Sequence, residues 1–205
     1  MRTRLLRIDS DHPDPAVIHE AAGILRRGGL VAFPTETVYG LGANLEDPQA
    51  IQELYAVKQR PFGKQVTLHI SDLAAVTTAG VAVTELGRML MRKFWPGPLT
   101  LVFRRPDGST VGFRMPRHPV ALALLREAQV PVAAPSANLS GAPAPRTAQE
   151  VFAGLADKID LILDAGPTPV GVESTVLDLS GQVPRILRAG ALAGEIEQAI
   201  HSMVP

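Results

Sequence analysis

Apolar residues recur along this chain in two rhythms. Spacings of three and four predict helices. The first covers residues 14–27, with Val17, Ile18, Ala21, Ile24 and Leu25 on one face and Gly28-Gly29 closing its end. Asp47-Pro48 opens a second, through about Val57, with Ile51, Leu54 and Tyr55 inward. Ser71 is placed to cap a short one, and residues 83–94 form another, stopped by Trp95-Pro96-Gly97-Pro98. Further helices are predicted near 119–128, after the Thr147-Ala148-Gln149-Glu150 capping box, and near 194–202. Short apolar runs between turn residues predict strands at 4–8, 30–33, 66–70, 99–104, 110–114, 130–134, 159–163, 174–179 and 185–188. Helices and strands alternate through most of the chain, which predicts an α/β sheet with flanking helices. The last strands follow one another without helices, so the sheet should be mixed parallel and antiparallel.

Two strand ends break into polar residues in a way that packing does not require. After Leu30-Val31-Ala32-Phe33 comes Pro34-Thr35-Glu36-Thr37-Val38-Tyr39-Gly40-Leu41-Gly42, and after the apolar 130–134 comes Pro135-Ser136-Ala137-Asn138-Leu139-Ser140-Gly141. Open α/β sheets bind ligands at the carboxyl ends of strands, and Thr35, Glu36, Thr37 and Tyr39, with Ser136 and Asn138 in the second loop, supply hydrogen-bonding groups there. Residues 54–71 contain no acid but hold Lys58, Arg60 and Lys64 around Pro61 and Gly63. This cluster suits either phosphate oxygens or the C-terminal end of a solvated helix. Arg114, after a strand, suits bidentate capture of a carboxylate, or is a surface arginine in a proline-stiffened connection. Arg188 carries the same two readings.

With 205 residues, 46% of them hydrophobic, and no linker-like stretch, a single domain spanning residues 1–205 is expected. Twenty basic residues balance twenty acidic ones, so bulk charge does not advertise nucleic acid and any anion site must be local. The absence of cysteine excludes disulfides, thiol nucleophiles and thiolate-bound zinc. No Walker, Rossmann or nucleophile-elbow motif is present, and the five histidines lack metal-ligand spacing. No apolar run approaches a membrane span, and no signal-peptide core follows Met1. A cytoplasmic protein without membrane contact is expected.

Eight segments in order carry a resemblance. They are Pro34–Asn44 (PTETVYGLGAN), Lys58-Gln59-Arg60-Pro61, Leu68-His69-Ile70, Trp95–Thr100 (WPGPLT), Arg114–Pro119, Ala134–Asn138 (APSAN), Gly171–Val176 (GVESTV) and Pro184–Gly190. Over residues 10 to 192 the chain resembles the YrdC-like threonylcarbamoyl-AMP synthases. The resemblance implies a twisted α/β fold around a large cationic cavity, and the short, single-domain form of the family. The implied reaction joins L-threonine, bicarbonate and ATP into threonylcarbamoyl-AMP, with release of pyrophosphate. The product is then handed to a tRNA threonylcarbamoyl transferase complex that modifies an adenosine beside the anticodon.

By the same resemblance, Thr35, His69, Arg114, Ala134 and Ser174 hold threonine. Lys58, Arg60, Lys64, Thr110, Ser136, Asn138, Ala144 and Arg188 hold ATP, with Lys58 and Arg60 the catalytic phosphate pair. Mg²⁺ is implied by ATP, carried by the nucleotide and not by a protein ligand set. Gly63-Lys64-Gln65-Val66 stands where many relatives have Asn-Pro-Leu, and Arg188-Ala189-Gly190 where Arg-Pro-Gly is frequent. The alternatives are a non-catalytic RNA-binding module, with direct tRNA or RNA contact, and a divergent paralogue of the same fold. A third, the carbamoyl-adenylate formers of hydrogenase maturation, is disfavoured because those are much larger and carry cysteine-rich zinc segments.

Overall fold

The computed structural model describes residues 2–63 and 65–202. Its strands are β1 (Arg4–Arg7), β2 (Val31–Phe33), β3 (Gly40–Asn44), β4 (Thr67–His69), β5 (Leu99–Arg104), β6 (Thr110–Arg114), β7 (Val132–Ala133), β8 (Leu161–Asp164), β9 (Thr175–Asp178) and β10 (Arg185–Arg188). They form one mixed sheet in the order β1-β8-β2-β3-β7-β4-β6-β5-β9-β10. β8 runs parallel to both β1 and β2, while β2–β3, β3–β7 and β9–β10 are antiparallel. The described residues also form seven helices: α1 (Pro15–Arg26), α2 (Pro48–Val57), α3 (Ala74–Thr78), α4 (Glu85–Phe94), α5 (Pro119–Ala128), α6 (Ala148–Leu155) and α7 (Ala193–His201).

Side-chain alternation along the strands sorts the core into faces. Val31, Phe33, Val132, Leu161 and Leu163 pack with α1 and α5, whereas Leu30, Ala32, Ala133 and Ile162 pack with α2 and α6. A third cluster joins β5, β6 and β9 to Leu90, Met91 and Phe94 of α4 and to Ile196 of α7.

Of the predicted helix caps, those at Asp47 and Thr147 form, and Asp14 acts like Asp47. Asp14 and Asp47 each accept backbone N–H bonds before an N1 proline. Thr147 Oγ1 accepts from Glu150 N at 3.2 Å, but Glu150 Oε2 turns back to Arg146 N at 2.6 Å instead of completing a reciprocal box. Ser71 does not cap the short helix. Asp72 Oδ1 accepts from Ala74 N at 2.8 Å, and α3 starts two residues later than Ser71 suggests.

The largest difference from expectation is β3. Residues 40–44, read as the end of a polar loop, form a fully buried strand paired with β2 and β7. Their glycines answer to close packing. A Cβ on Gly42 would lie 3.0 Å from the Phe33 ring and 3.3 Å from Val132. The polar loop is thereby shortened to residues 34–39 and held tightly against the sheet.

Candidate active site

The carboxyl ends of β4 and β6, the loop after β7, and the starts and ends of β9 and β10 surround a cavity of about 420 Å³. Among the described residues, four cationic side chains line it, Lys58, Arg60, Arg114 and Arg188, against one carboxylate, Glu173.

The parallel pairing of β4 with β6 sets His69 directly beside Arg114. Arg114 is 4% exposed and donates three hydrogen bonds, all from Nη2. They reach Glu36 Oε2 at 2.9 Å, Thr37 Oγ1 at 2.8 Å and, more weakly, Thr35 Oγ1 at 3.4 Å. Burial lowers the pKa of the guanidinium and the charge of Arg188 adds to that, while Glu36 opposes both. His69 meets Phe33 edge to face, with ring centres 6.2 Å apart, and has no partner for Nδ1 among the described residues. Burial, reinforced by Arg114, pushes its pKa down to about 3, so its imidazole is neutral near pH 7. A neutral imidazole beside a guanidinium can offer or take a hydrogen bond without adding charge.

Lys58 caps the C-terminal end of α2 and is 2% exposed. Its Nζ donates to the carbonyl of Ser136 and, at 2.6 Å, to that of Asn138. Ser140 N donates to the Lys58 carbonyl at 2.8 Å. The cation and the 136–140 loop are thus tied through backbone dipoles, and the ammonium's charge stands at the cavity wall. Arg60 donates from Nη2 to Gln65 O at 2.7 Å, which folds the cationic loop onto itself. Asn138 Nδ2 donates to Ala142 O at 2.6 Å, leaving Oδ1 buried without a partner.

On the opposite wall Arg188 grips the segment before β9. It donates to Ser174 O and Ser174 Oγ, each at 3.0 Å, and to Glu173 Oε1 at 2.6 Å. Ser174 Oγ is also 2.9 Å from Thr100 Oγ1. Gly190 makes the approach possible by lying directly on the backbone of Glu173 and Ser174.

The structure brings together most of the residues singled out in the sequence. Lys58, Arg60, His69, Arg114, Ala134, Ser136, Asn138, Ser174 and Arg188 line the one cavity. Thr35 is not on its wall but beneath Arg114, 1% exposed, donating to Val38 O at 2.6 Å. Thr110 also stands back, and its Oγ1 accepts from Gln65 Nε2 at 2.6 Å. Ala144 lines a second, adjoining cavity that shares Asn138, Ala142 and Glu173 with the first. Lys64 lies outside the described residues. Glu36, read from sequence only as one of the polar groups at the strand end, is the partner of Arg114, while Gln65, Thr67, Thr100 and Glu173 were not assigned from sequence. Thr67 alternates with His69 on the strand and was legible from that period, whereas the others depend on tertiary pairing.

The donor set does not make a magnesium cage. Among the described residues Glu173 is the sole carboxylate on the wall, and it is engaged by Arg188. Among the described residues no three His, Asp or Glu side chains gather for a metal. Hard divalent cations want several oxygen ligands, and the wall instead offers cations suited to anions. Also among the described residues, no helix is long and apolar enough to cross a membrane.

Comparison with known proteins matches residues 23–190 to the Sua5/YciO/YrdC family model, described as Telomere recombination. The chain is 44% identical over 197 residues to the threonylcarbamoyl-AMP synthase of Bacillus subtilis (strain 168), covering 91% of this chain and 57% of that protein. In three dimensions it is similar to Pyrococcus abyssi Sua5 complexed with L-threonine, with TM-score 0.91 and 41% identity over 97% of this chain and 61% of that one. It is also similar to Escherichia coli YciO, with TM-score 0.83 and 29% identity over 92% of this chain and 96% of that one. The chain therefore spans little more than half the length of the Bacillus subtilis relative.

Proposed function

Because the chain belongs to the Sua5/YciO/YrdC family, we propose that it is an L-threonylcarbamoyladenylate synthase, using L-threonine, bicarbonate and ATP. The observation that carries this reading is the convergence of Lys58, Arg60, Arg114 and Arg188 on one cavity, in a fold similar to Pyrococcus abyssi Sua5 complexed with L-threonine.

The chemistry fits the wall. The threonine amine attacks the carbon of bicarbonate, a C–O bond breaks, water leaves, and an N-carboxylate results. One of its oxygens then attacks the α-phosphorus, the α–β anhydride bond breaks, and pyrophosphate leaves. An anion thus attacks a polyanion, so the site must neutralise charge and align the reactants, without a covalent nucleophile. In the proposed arrangement Arg114 takes the threonine carboxylate, while His69, the Ala134 backbone and Ser174 border the amino acid. Lys58, Arg60, Ser136, Asn138 and Arg188 face the triphosphate, with Lys64, Thr110 and Ala144 as further ATP contacts. Mg²⁺ enters as the counter-ion of ATP. The product passes to a tRNA threonylcarbamoyl transferase complex in the cytoplasm. The balanced net charge weighs against a dedicated RNA-binding role.

The test is pyrophosphate release from ATP, Mg²⁺ and bicarbonate, with and without L-threonine, with mass detection of the adenylate. Threonine-dependent release together with the threonylcarbamoyl-AMP mass is the expected result. Nucleotide binding without any threonine-dependent release would overturn the reading in favour of a divergent paralogue.

A further inference from the structure

Glu36 and Arg114 form the one ion pair among the described residues in which both side chains are nearly out of reach of water, 7% and 5% exposed. Every other pair is at least 38% exposed on both sides. The bonding within this pair is lopsided. Glu36, Thr37 and Thr35 all accept from the single nitrogen Nη2 of Arg114. Among the described residues Arg114 Nε and Glu36 Oε1 are both buried without partners, and every hydrogen bond from the Arg114 side chain comes from Nη2, none from Nη1. Glu36 does not line the cavity, whereas Arg114 does. The loop that carries the carboxylate is itself anchored, because Val170 N donates to Glu36 O at 2.9 Å.

A guanidinium has a planar fork of donors whose direction decides what it can bind. Fixing one corner with a carboxylate and a hydroxyl fixes the plane, and leaves the Nη1 corner for whatever enters the cavity. Arg114 also sits in the repulsive field of Arg188. Without a buried counter-charge it has every electrostatic reason to move. We propose that Glu36, assisted by Thr37, is a positioning residue that pins Arg114 by Nη2 so that its free corner meets the carboxylate of an amino-acid substrate. This rests on the threonine reading above for the identity of that substrate.

The experiment has two arms. In the first, Glu36→Gln and Thr37→Val are assayed for pyrophosphate release with each substrate varied in turn. Glu36→Gln should raise the KM for threonine about tenfold, the order expected when a charge-assisted contact is misaligned. The KM for ATP should stay within about twofold. Thr37→Val should shift the threonine KM in the same direction by less, and Thr37→Ser should restore it. Equal rises in both KM values, or an unchanged threonine KM, would overturn the inference. In the second arm, ¹⁵N NMR follows the guanidinium protons of Arg114. The wild type should show slowly exchanging Nη2 protons, and Glu36→Gln should speed their exchange about tenfold or more. Equal exchange in both proteins would overturn the inference. This arm needs no turnover, so it decides the role of Glu36 even if the wild type proves inactive with threonine, which would overturn the proposed function alone. Should Glu36→Gln not fold, Thr37→Val carries both arms.

Discussion

Gly190→Ala should damage the nucleotide side of the cavity from outside it. A Cβ at Gly190 would lie 2.4 Å from Glu173 O, 2.4 Å from Ser174 C and 2.5 Å from Ser174 O. All three are backbone atoms, so no rotamer change relieves the contact. Reaching ordinary van der Waals separation needs a displacement of roughly 1 Å between the two segments. Those segments are joined by Gly190 N and Leu192 N donating to Thr175 Oγ1 at 3.2 and 2.9 Å, and by Ala191 N donating to Glu173 O at 3.0 Å. Overpacking of this kind costs about 1–3 kcal/mol, and weakening the hydrogen bonds adds about 1 kcal/mol or more. For a chain of this size each kcal/mol lowers Tm by about 2–4 °C, so a fall of roughly 5–15 °C is expected in differential scanning calorimetry. Arg188 lies two residues earlier and loses its alignment on Ser174 with the same displacement. A misplacement near 1 Å can cost about a hundredfold in rate, so steady-state pyrophosphate release should show at least a tenfold loss in kcat/KM for ATP. Gly154→Ala is the control. Its added methyl meets nothing within 4 Å in α6, and helix propensity gives a small gain. Wild-type Tm and ATP kinetics in Gly190→Ala would refute the claim that this backbone approach holds Arg188.

Lys58→Ala and Arg60→Ala should each reduce kcat/KM for ATP by about ten- to a hundredfold, the range for losing a charge-assisted contact. Wild-type ATP dependence in both would remove the phosphate assignment. Arg114→Ala should mainly raise the threonine requirement, and an unchanged threonine KM would count against its carboxylate role. The buried neutral His69 should weaken the fold in acid. The unfolded chain binds its proton near pH 6.5 and the folded chain only near pH 3, so stability falls as pH drops between those values and is unaffected by this group above them. Each pH unit in that window removes about 1.4 kcal/mol at most. His118, whose pKa burial also lowers, acts in the same direction. Urea unfolding at pH 7 and pH 4.5 should show a smaller acid loss for His69→Gln than for the wild type, and identical losses would contradict the assignment.

Much of the fold was legible because local chemistry and the apolar rhythm agree. Asp14-Pro15, Asp47-Pro48 and Thr147 announce their helices, and the alternation in Leu30–Phe33 already separates the two faces of the sheet. β3 escaped because two glycines, a leucine and an asparagine carry little strand propensity. Its reason is Phe33 and Val132 pressing on Gly42, a contact between residues distant in sequence. The same limit applies to the site. Strand ends, hydroxyls and cations pointed to Lys58, Arg114 and Ser136, and the family resemblance to Ser174. Nothing local says that Glu36 waits for an arginine 78 residues later, or that Arg188 is held by Ser174.

The strand order also constrains how the protein can be made. β4 lies between β7 and β6, β2 between β8 and β3, and β5 between β6 and β9. Each of these early strands has at least one neighbour from the later part of the chain. During synthesis at about 5–20 residues per second, the apolar edges of β2 and β5 wait for β8 and β9 for several seconds or more. Arg188, two residues before Gly190, arrives after every other residue on the cavity wall. A nascent chain thus carries unpaired strand edges, the surfaces most prone to pairing with other chains, until β8 and β9 have left the ribosome.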